Sequence, residues 1–165
     1  MPVTPKYGFR YPAPADPADV PADLQKLASD VEAILSGRFV PIFASIETQQ
    51  QVTTGSFGDL ATPGPSITLV QAGDYIVSWG CEFSGVPTNA FSVACAVRFG
   101  AAATQSADSI SFGAPASPSA TAQVALARQR RYNGLAAGLV LKLEYAYVNF
   151  QMNAAKRWIR ADRVA

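Results

Sequence analysis

The run Tyr75-Ile76-Val77-Ser78-Trp79-Gly80-Cys81-Glu82-Phe83 decides the fold of this chain. Tyr75, Val77, Trp79, Cys81 and Phe83 fall at every second position, with Ile76, Ser78, Gly80 and Glu82 between them. Successive side chains of a strand point to opposite faces, so this spacing describes a strand with one buried face. A helix would scatter the same residues around its axis. Two more runs repeat the pattern: Phe91, Val93, Cys95, Val97 and Phe99, then Leu139, Leu141, Leu143, Tyr145 and Tyr147. Weaker strands are readable at 43–53, 66–71, 105–112, 119–130 and 156–164.

Turn residues separate these runs: Gly55, Pro63-Gly64-Pro65, Ala72-Gly73-Asp74, the stretch Gly85 to Asn89, the stretch Gly113 to Pro118, and Asn133-Gly134. About eight short strands without intervening helices predict a mostly β fold, an antiparallel jelly roll or β-sandwich, over residues 38–165. Cys81 and Cys95 fall on the apolar faces of their strands, where a free cysteine acts as a small hydrophobe. Their spacing neither requires nor excludes a disulfide, and it is not that of a CxxC redox or zinc motif.

Upstream the pattern changes. Residues 1–19 carry Pro2, Pro5, Pro12, Pro14 and Pro17 with Tyr7, Phe9 and Tyr11. Proline fixes φ and removes donors, so this segment reads as an extended arm. Tyr7, Phe9 and Tyr11 would share one side of an extended chain. That favours an arm anchored on a partner surface, with a loose tail or packing on its own domain as the alternatives. Pro-Ala-Asp recurs at 14–16, 17–19 and 21–23, a composition suited to a helix start. An amphipathic helix is expected over 20–37, capped by Gly37. Val20, Leu24, Leu27, Val31 and Ile34 step by four and three, a heptad seam two repeats long. The seam suits a short parallel bundle of identical chains, or packing of the helix on its own β-domain.

The 165 residues include 13 Lys and Arg, 12 Asp and Glu and no histidine, for a net charge of +1. Lack of histidine removes the commonest general base, triad partner and metal ligand. Glu47, Asp59, Asp74, Glu82, Asp108, Glu144 and Asp162 are scattered, and no glycine loop precedes a helix to cradle phosphate. No catalytic, cofactor-binding or metal residue is therefore expected, and the chain reads as non-enzymatic and without cofactors. A glycosidase or esterase would need two of those acids in one pocket. No stretch approaches the roughly 18 apolar residues of a membrane span, and the N-terminus lacks a signal peptide's apolar core; a soluble, unexported chain with no membrane partner is expected.

Charge is uneven along the chain. Residues 1–90 hold nine acids and four bases; from Arg128 onward Arg128, Arg130, Arg131, Lys142, Lys156, Arg157, Arg160 and Arg163 face two acids. The favoured reading is a solvated or subunit-contact face with arginines paired to a neighbour's acids, and the lesser one a surface for nucleic acid or acidic polysaccharide. No aromatic platform interleaves this run as a single-strand binder requires, although Trp158 lies among the basic residues; no nucleic-acid partner is expected.

Pro5-Lys6-Tyr7-Gly8-Phe9-Arg10-Tyr11-Pro12, followed by Asp19-Val20-Pro21-Ala22-Asp23-Leu24-Gln25-Lys26-Leu27-Ala28-Ser29-Asp30-Val31, resembles the opening of bacteriophage and prophage minor structural proteins. Phe57-Gly58-Asp59-Leu60-Ala61-Thr62-Pro63-Gly64-Pro65-Ser66-Ile67-Thr68-Leu69, Gly134-Leu135-Ala136-Ala137-Gly138 and the final arginine-bearing strand are similar to small phage fibre and knob domains. The resemblance implies a non-catalytic, often trimeric jelly-roll knob in the virion, assembled in the host cytoplasm. It would be fixed by its arm to capsid or tail proteins, as a head-fibre or decoration protein or a minor tail or fibre protein. No long shaft separates helix from knob, which favours a small appendage near the particle surface. The alternative function is a receptor-binding knob for a host-surface glycan, with Tyr132 and Trp158 as the aromatics to examine.

Overall fold

The computed structural model describes residues 20–39 and 41–164. Helix α1 (Val20–Phe39) comes first. It continues through Gly37, where the sequence placed its cap. Pro41 supplies a stronger stop four residues after Gly37, because the residue before a proline is disfavoured from helical geometry. The strands form a second unit. Among the described residues they are β1 (Ile42–Ile46), β2 (Gln50–Gln51), β3 (Ser66–Thr68), β4 (Gly73–Gly85), β5 (Phe91–Phe99), β6 (Ser109–Ala114), β7 (Ala122–Leu135), β8 (Val140–Val148) and β9 (Asn153–Arg163). The expected strand at 43–53 is thus two pieces, which raises the number to nine.

Their pairing is nested. β5 pairs with β6, β4 with β7, β3 with β8, and β1 with β9, all antiparallel. The chain is therefore a long hairpin whose rungs alternate between two sheets, which is the defining connectivity of a jelly roll. Two further pairings, β4 with β9 and β5 with β8, complete the layers. One sheet runs β1-β9-β4-β7, with β2 also on β9; the other runs β3-β8-β5-β6.

The period-two runs face each other between the sheets. Tyr75, Val77, Trp79, Cys81 and Phe83 of β4 meet Phe91, Val93, Cys95 and Val97 of β5 and Leu141, Leu143 and Tyr145 of β8 in one buried cluster. Each large side chain so enclosed contributes roughly 1.5–3 kcal/mol. Both cysteines are free and buried there.

Two bulges adjust this frame. From Gly73 to Tyr75 two steps on β4 face three on β7, Leu135 to Tyr132. Asn133-Gly134, read from sequence as a turn, lies inside β7, with Gly134 at φ +65°. A hairpin turn and a bulge both ask for a left-handed glycine, so the local sequence is the same for each. The Asp74 carboxylate pins this bulge, accepting from the Gly134 backbone N–H at 2.9 Å and from Arg131 at 2.8 Å. The Arg131 bond, then the Gly134 one, holds its pKa below the ordinary 3.8. A carboxylate depressed in the fold adds stability that is fully present above the unfolded value and lost as pH falls through the folded one. Carboxyl 13C titration should put the Asp74 midpoint below 3.8 and move it back upward in Arg131→Gln; an unchanged midpoint in that variant would remove Arg131 as the cause.

The second bulge lies between Gly80 and Glu82 of β4, opposite Trp158 to Ala155 of β9. Lys156 takes the left-handed conformation there, with φ +45°. Buried positions along β9 run 154, 157, 159 and 161, so one step of three interrupts the steps of two. That single residue sets which face everything beyond it takes. Arg157, Ile159 and Ala161 turn inward, and Trp158, Arg160 and Asp162 turn outward.

The connection 52–65 closes the open edge of β8 beyond the short β3. The N–H groups of Tyr147, Tyr145 and Leu143 donate to the carbonyls of Thr54, Gly58 and Pro65 at 3.1, 3.0 and 3.1 Å. Covering an edge in this way leaves no free row of donors for another strand.

Candidate functional site

The eight bases from Arg128 onward were read as a face contacting solvent or a neighbour's acids; the structure pairs most of them within the chain. Arg130 meets Asp108 at 2.9 Å, Arg131 meets Asp74 at 2.8 Å, Lys142 meets Asp59 at 2.5 Å, Lys156 meets Glu82 at 3.0 Å and Arg160 meets Asp162 at 2.7 Å. Arg163 donates to Gln71 at 2.7 Å and to the Ala72 carbonyl at 3.2 Å. Arg128 donates to the Ser109 carbonyl and lies over the Trp79 ring. Asp162 lies two residues from Arg160 on the same strand, whereas the other four acids were invisible as partners in the sequence because they arrive from distant turns and strands.

Arg157 is the exception in kind. It is fully buried between the sheets, beneath the Tyr145 ring at 5.6 Å. Its two terminal nitrogens donate to the carbonyls of Thr62 and Thr48, both at 3.2 Å. It thereby ties the 47–65 stretch to the core.

Asp59 and Glu144, two of the seven scattered acids, line one depression of about 550 Å³ with Arg98 and Thr104. Glu144 is buried, bonded to Arg98 at 2.7 Å and to the Thr104 hydroxyl at 2.5 Å. Each carboxylate is thus paired with a base of the same chain, Asp59 with Lys142 and Glu144 with Arg98. Burial pushes the Cys81 thiol well above its usual range, so it is poorly suited to nucleophilic work. Among the described residues no group of three potential metal ligands comes together, and no helix is long and apolar enough to cross a membrane.

Of the two aromatics singled out, Tyr132 belongs to the sandwich edge. Its ring stacks on Phe99 at 4.7 Å and its hydroxyl donates to Asp108 at 2.7 Å. Burial, then the Asp108 bond, raises its pKa well beyond the ordinary range. Trp158 is different. The β9 bulge turns it onto the outer face of the five-stranded sheet, where its cross-strand neighbours are Ser45 of β1 and Gly80 of β4. A Cβ on Gly80 would sit 3.0 Å from both Cε2 and Cζ2 of the indole. The six-membered ring therefore lies across the glycine, close to the β4 backbone.

The neighbouring register row holds Phe43, Arg160, Ser78 and Gln129, one from each of four adjacent strands. Phe43 is 59% exposed. With Trp158 and Asp162 these residues line a shallow depression of about 500 Å³. Asp162 accepts from the Arg160 Nε at 2.8 Å and from a terminal nitrogen at 2.7 Å, which raises the arginine's pKa and fixes its plane. The Gln129 amide donates to the Ser78 hydroxyl at 3.2 Å. Phe43, Ser78 and Gln129 carried no sequence signal, since only strand order brings them beside Trp158.

The residues expected to mediate self-association divide. Leu24 and Leu27 of α1 stand exposed, at 60% and 38%, and Val31 is half-buried. The side chains of Val20 and Ile34, and the arm residues Tyr7, Phe9 and Tyr11, lie outside the described residues.

No protein-family model matches the chain, and no curated protein matches it. Solved structures do. PRD1 vertex protein P5 aligns over 78% of this chain and 99% of its own, at 13% identity and a TM-score of 0.35. The Eiger TNF from S. frugiperda aligns over 78% of this chain and 94% of its own, at 11% identity and a TM-score of 0.57. At that identity the likeness to the TNF structure is one of fold, and it agrees with the nested strand order in making this chain a jelly-roll protein.

Proposed function

We propose that the chain is a non-enzymatic virion structural protein, a small phage appendage whose copies join through α1 and whose residues 1–19 attach it to the head or tail. The observation that carries this reading is the apolar seam of α1. Among the described residues Leu24 and Leu27 of α1 stand exposed at heptad spacing, and identical copies supply a partner for such a stripe in register. The resemblance of the arm and helix to phage minor structural proteins supports the virion as the place of action. The non-enzymatic reading is supported by the missing histidine and by ion pairs that hold Asp59 and Glu144.

Native mass spectrometry of the intact chain should show a trimer. Leu24→Asp combined with Leu27→Asp should give single chains with an unchanged β-sheet circular dichroism signal. A monomeric parent chain would overturn self-association through the helix. Gold labelling of intact particles with an antibody to the knob should mark the head or the tail, and unlabelled particles would overturn the virion assignment.

A further inference from the structure

We propose that the outer face of the five-stranded sheet, centred on Trp158, is a binding site for a neutral saccharide. The inference is independent of whether the chain sits on a particle or forms trimers, and it gives a place and a chemistry to a ligand.

The platform is built rather than incidental. Glycine in the middle of a strand weakens it and commonly marks close approach by another group. Gly80 is such a glycine: a Cβ there would meet the Leu126 carbonyl oxygen at 2.5 Å and the Trp158 indole at 3.0 Å. Trp158 is partly exposed on this outer face. An indole face is electron-rich and apolar, matching the C–H face of a pyranose, whose hydroxyls project from the ring edge. Those hydroxyls need donors and acceptors beside the platform. The adjacent row supplies both: Arg160 and Gln129 donate, while Ser78 and Asp162 accept. Across four strands the row from Phe43 to Gln129 spans about 14 Å, at the ~4.8 Å spacing of neighbouring strands. Such a row can follow several linked sugar rings.

Charge selects the class. Arg160 is matched by Asp162 on one side of the platform, and Lys156 by Glu82 on the other. The face therefore offers no surplus cation to a uronate or sialate, and a neutral sugar avoids breaking either pair. The same polarity argues against a second copy as the occupant, because the centres of stable protein interfaces are depleted in charged residues.

The chain contains two tryptophans, and Trp79 is fully buried, so the indole N–H of Trp158 reports on this face alone. The full chain would be titrated with methyl glycosides of glucose, galactose, mannose and N-acetylglucosamine, with maltotriose, chitotriose and sialyllactose, and followed by 15N–1H spectra. At least one neutral saccharide should shift the Trp158 indole signal and leave that of Trp79 in place. Trp158→Ala should weaken its binding at least about tenfold, as loss of a stacking platform does. Gln129→Leu, an exposed change unlinked to the core, should weaken it severalfold with an unchanged thermal midpoint. Silence of the Trp158 signal to every neutral saccharide, or response to sialyllactose alone, would overturn the proposal. So would Trp158→Ala changing the oligomeric mass of the chain, since the face would then be a contact between copies.

Discussion

Arg157→Ala is expected to lower the unfolding free energy of the knob by about 3 kcal/mol, a large share of the ~5–15 kcal/mol that holds a domain of this kind. Two losses combine. The aliphatic stem and guanidinium fill space between the sheets beneath Tyr145, and alanine leaves that space empty. The carbonyls of Thr48 and Thr62, on exposed residues, lose their charged donor; such a bond contributes about 1.5–3 kcal/mol, part of which water can replace. Arg157→Met separates these effects. Methionine keeps much of the volume and removes a charge that was costly to desolvate, so its loss should be nearer ~1 kcal/mol. Urea unfolding of the three proteins measures both differences. An alanine variant within about 0.5 kcal/mol of the parent would mean that the guanidinium anchors nothing.

Gly64→Ala should be as damaging, about 3 kcal/mol or more, by the opposite route of too little space. A Cβ there would stand 2.1 Å from the Leu143 carbonyl oxygen, 3.0 Å from its carbon and 3.1 Å from the Tyr145 hydroxyl. The obstacle is backbone of β8, which is held on both sides in its sheet. The glycine cannot move away easily either, because Pro63 and Pro65 fix the chain around it. Gly134→Ala is the control. Nothing lies within 4 Å of its Cβ position, so only the φ of +65° opposes the change. That strain is worth about 1–2 kcal/mol. Equal losses at the two glycines would mean that conformation rather than contact governs both.

The parts of the fold legible in the sequence were those where one rule spoke alone. β4, β5 and β8 alternate without interruption in sequence, and most of their apolar-phase side chains are buried. Ala96, Glu144 and Ala146 on the other phase are covered too, and Phe99 and Tyr147 are only partly buried. β7 was cut short in the reading because Asn133-Gly134 satisfies a hairpin turn as well as a bulge. β9 concealed more. Its bulge sits at Lys156, a residue with no preference for left-handed geometry, so nothing in the local sequence marks the change of phase. Without that mark Arg157 reads as one more surface base in a basic run. For the same reason Trp158 could be singled out by residue type but not assigned to a face. Its companions Phe43, Ser78 and Gln129 lie on three other strands, and periodicity within one strand holds no information about which strands become neighbours.

The nested order of the strands also constrains how the knob comes into being. β5 and β6 are close in the chain and can meet early, whereas β1 must wait for β9, across almost the whole knob. Contacts of such long sequence separation slow folding, because the chain must be closed into a loop before they repay it. On a translating ribosome β1 is made first and stays without its partner until the C-terminal strand emerges. Helix α1, whose contacts are local, can form during that interval. Under the proposed association through α1, neighbouring chains can find one another while their β-domains are still open, and assembly can precede completion of the subunit.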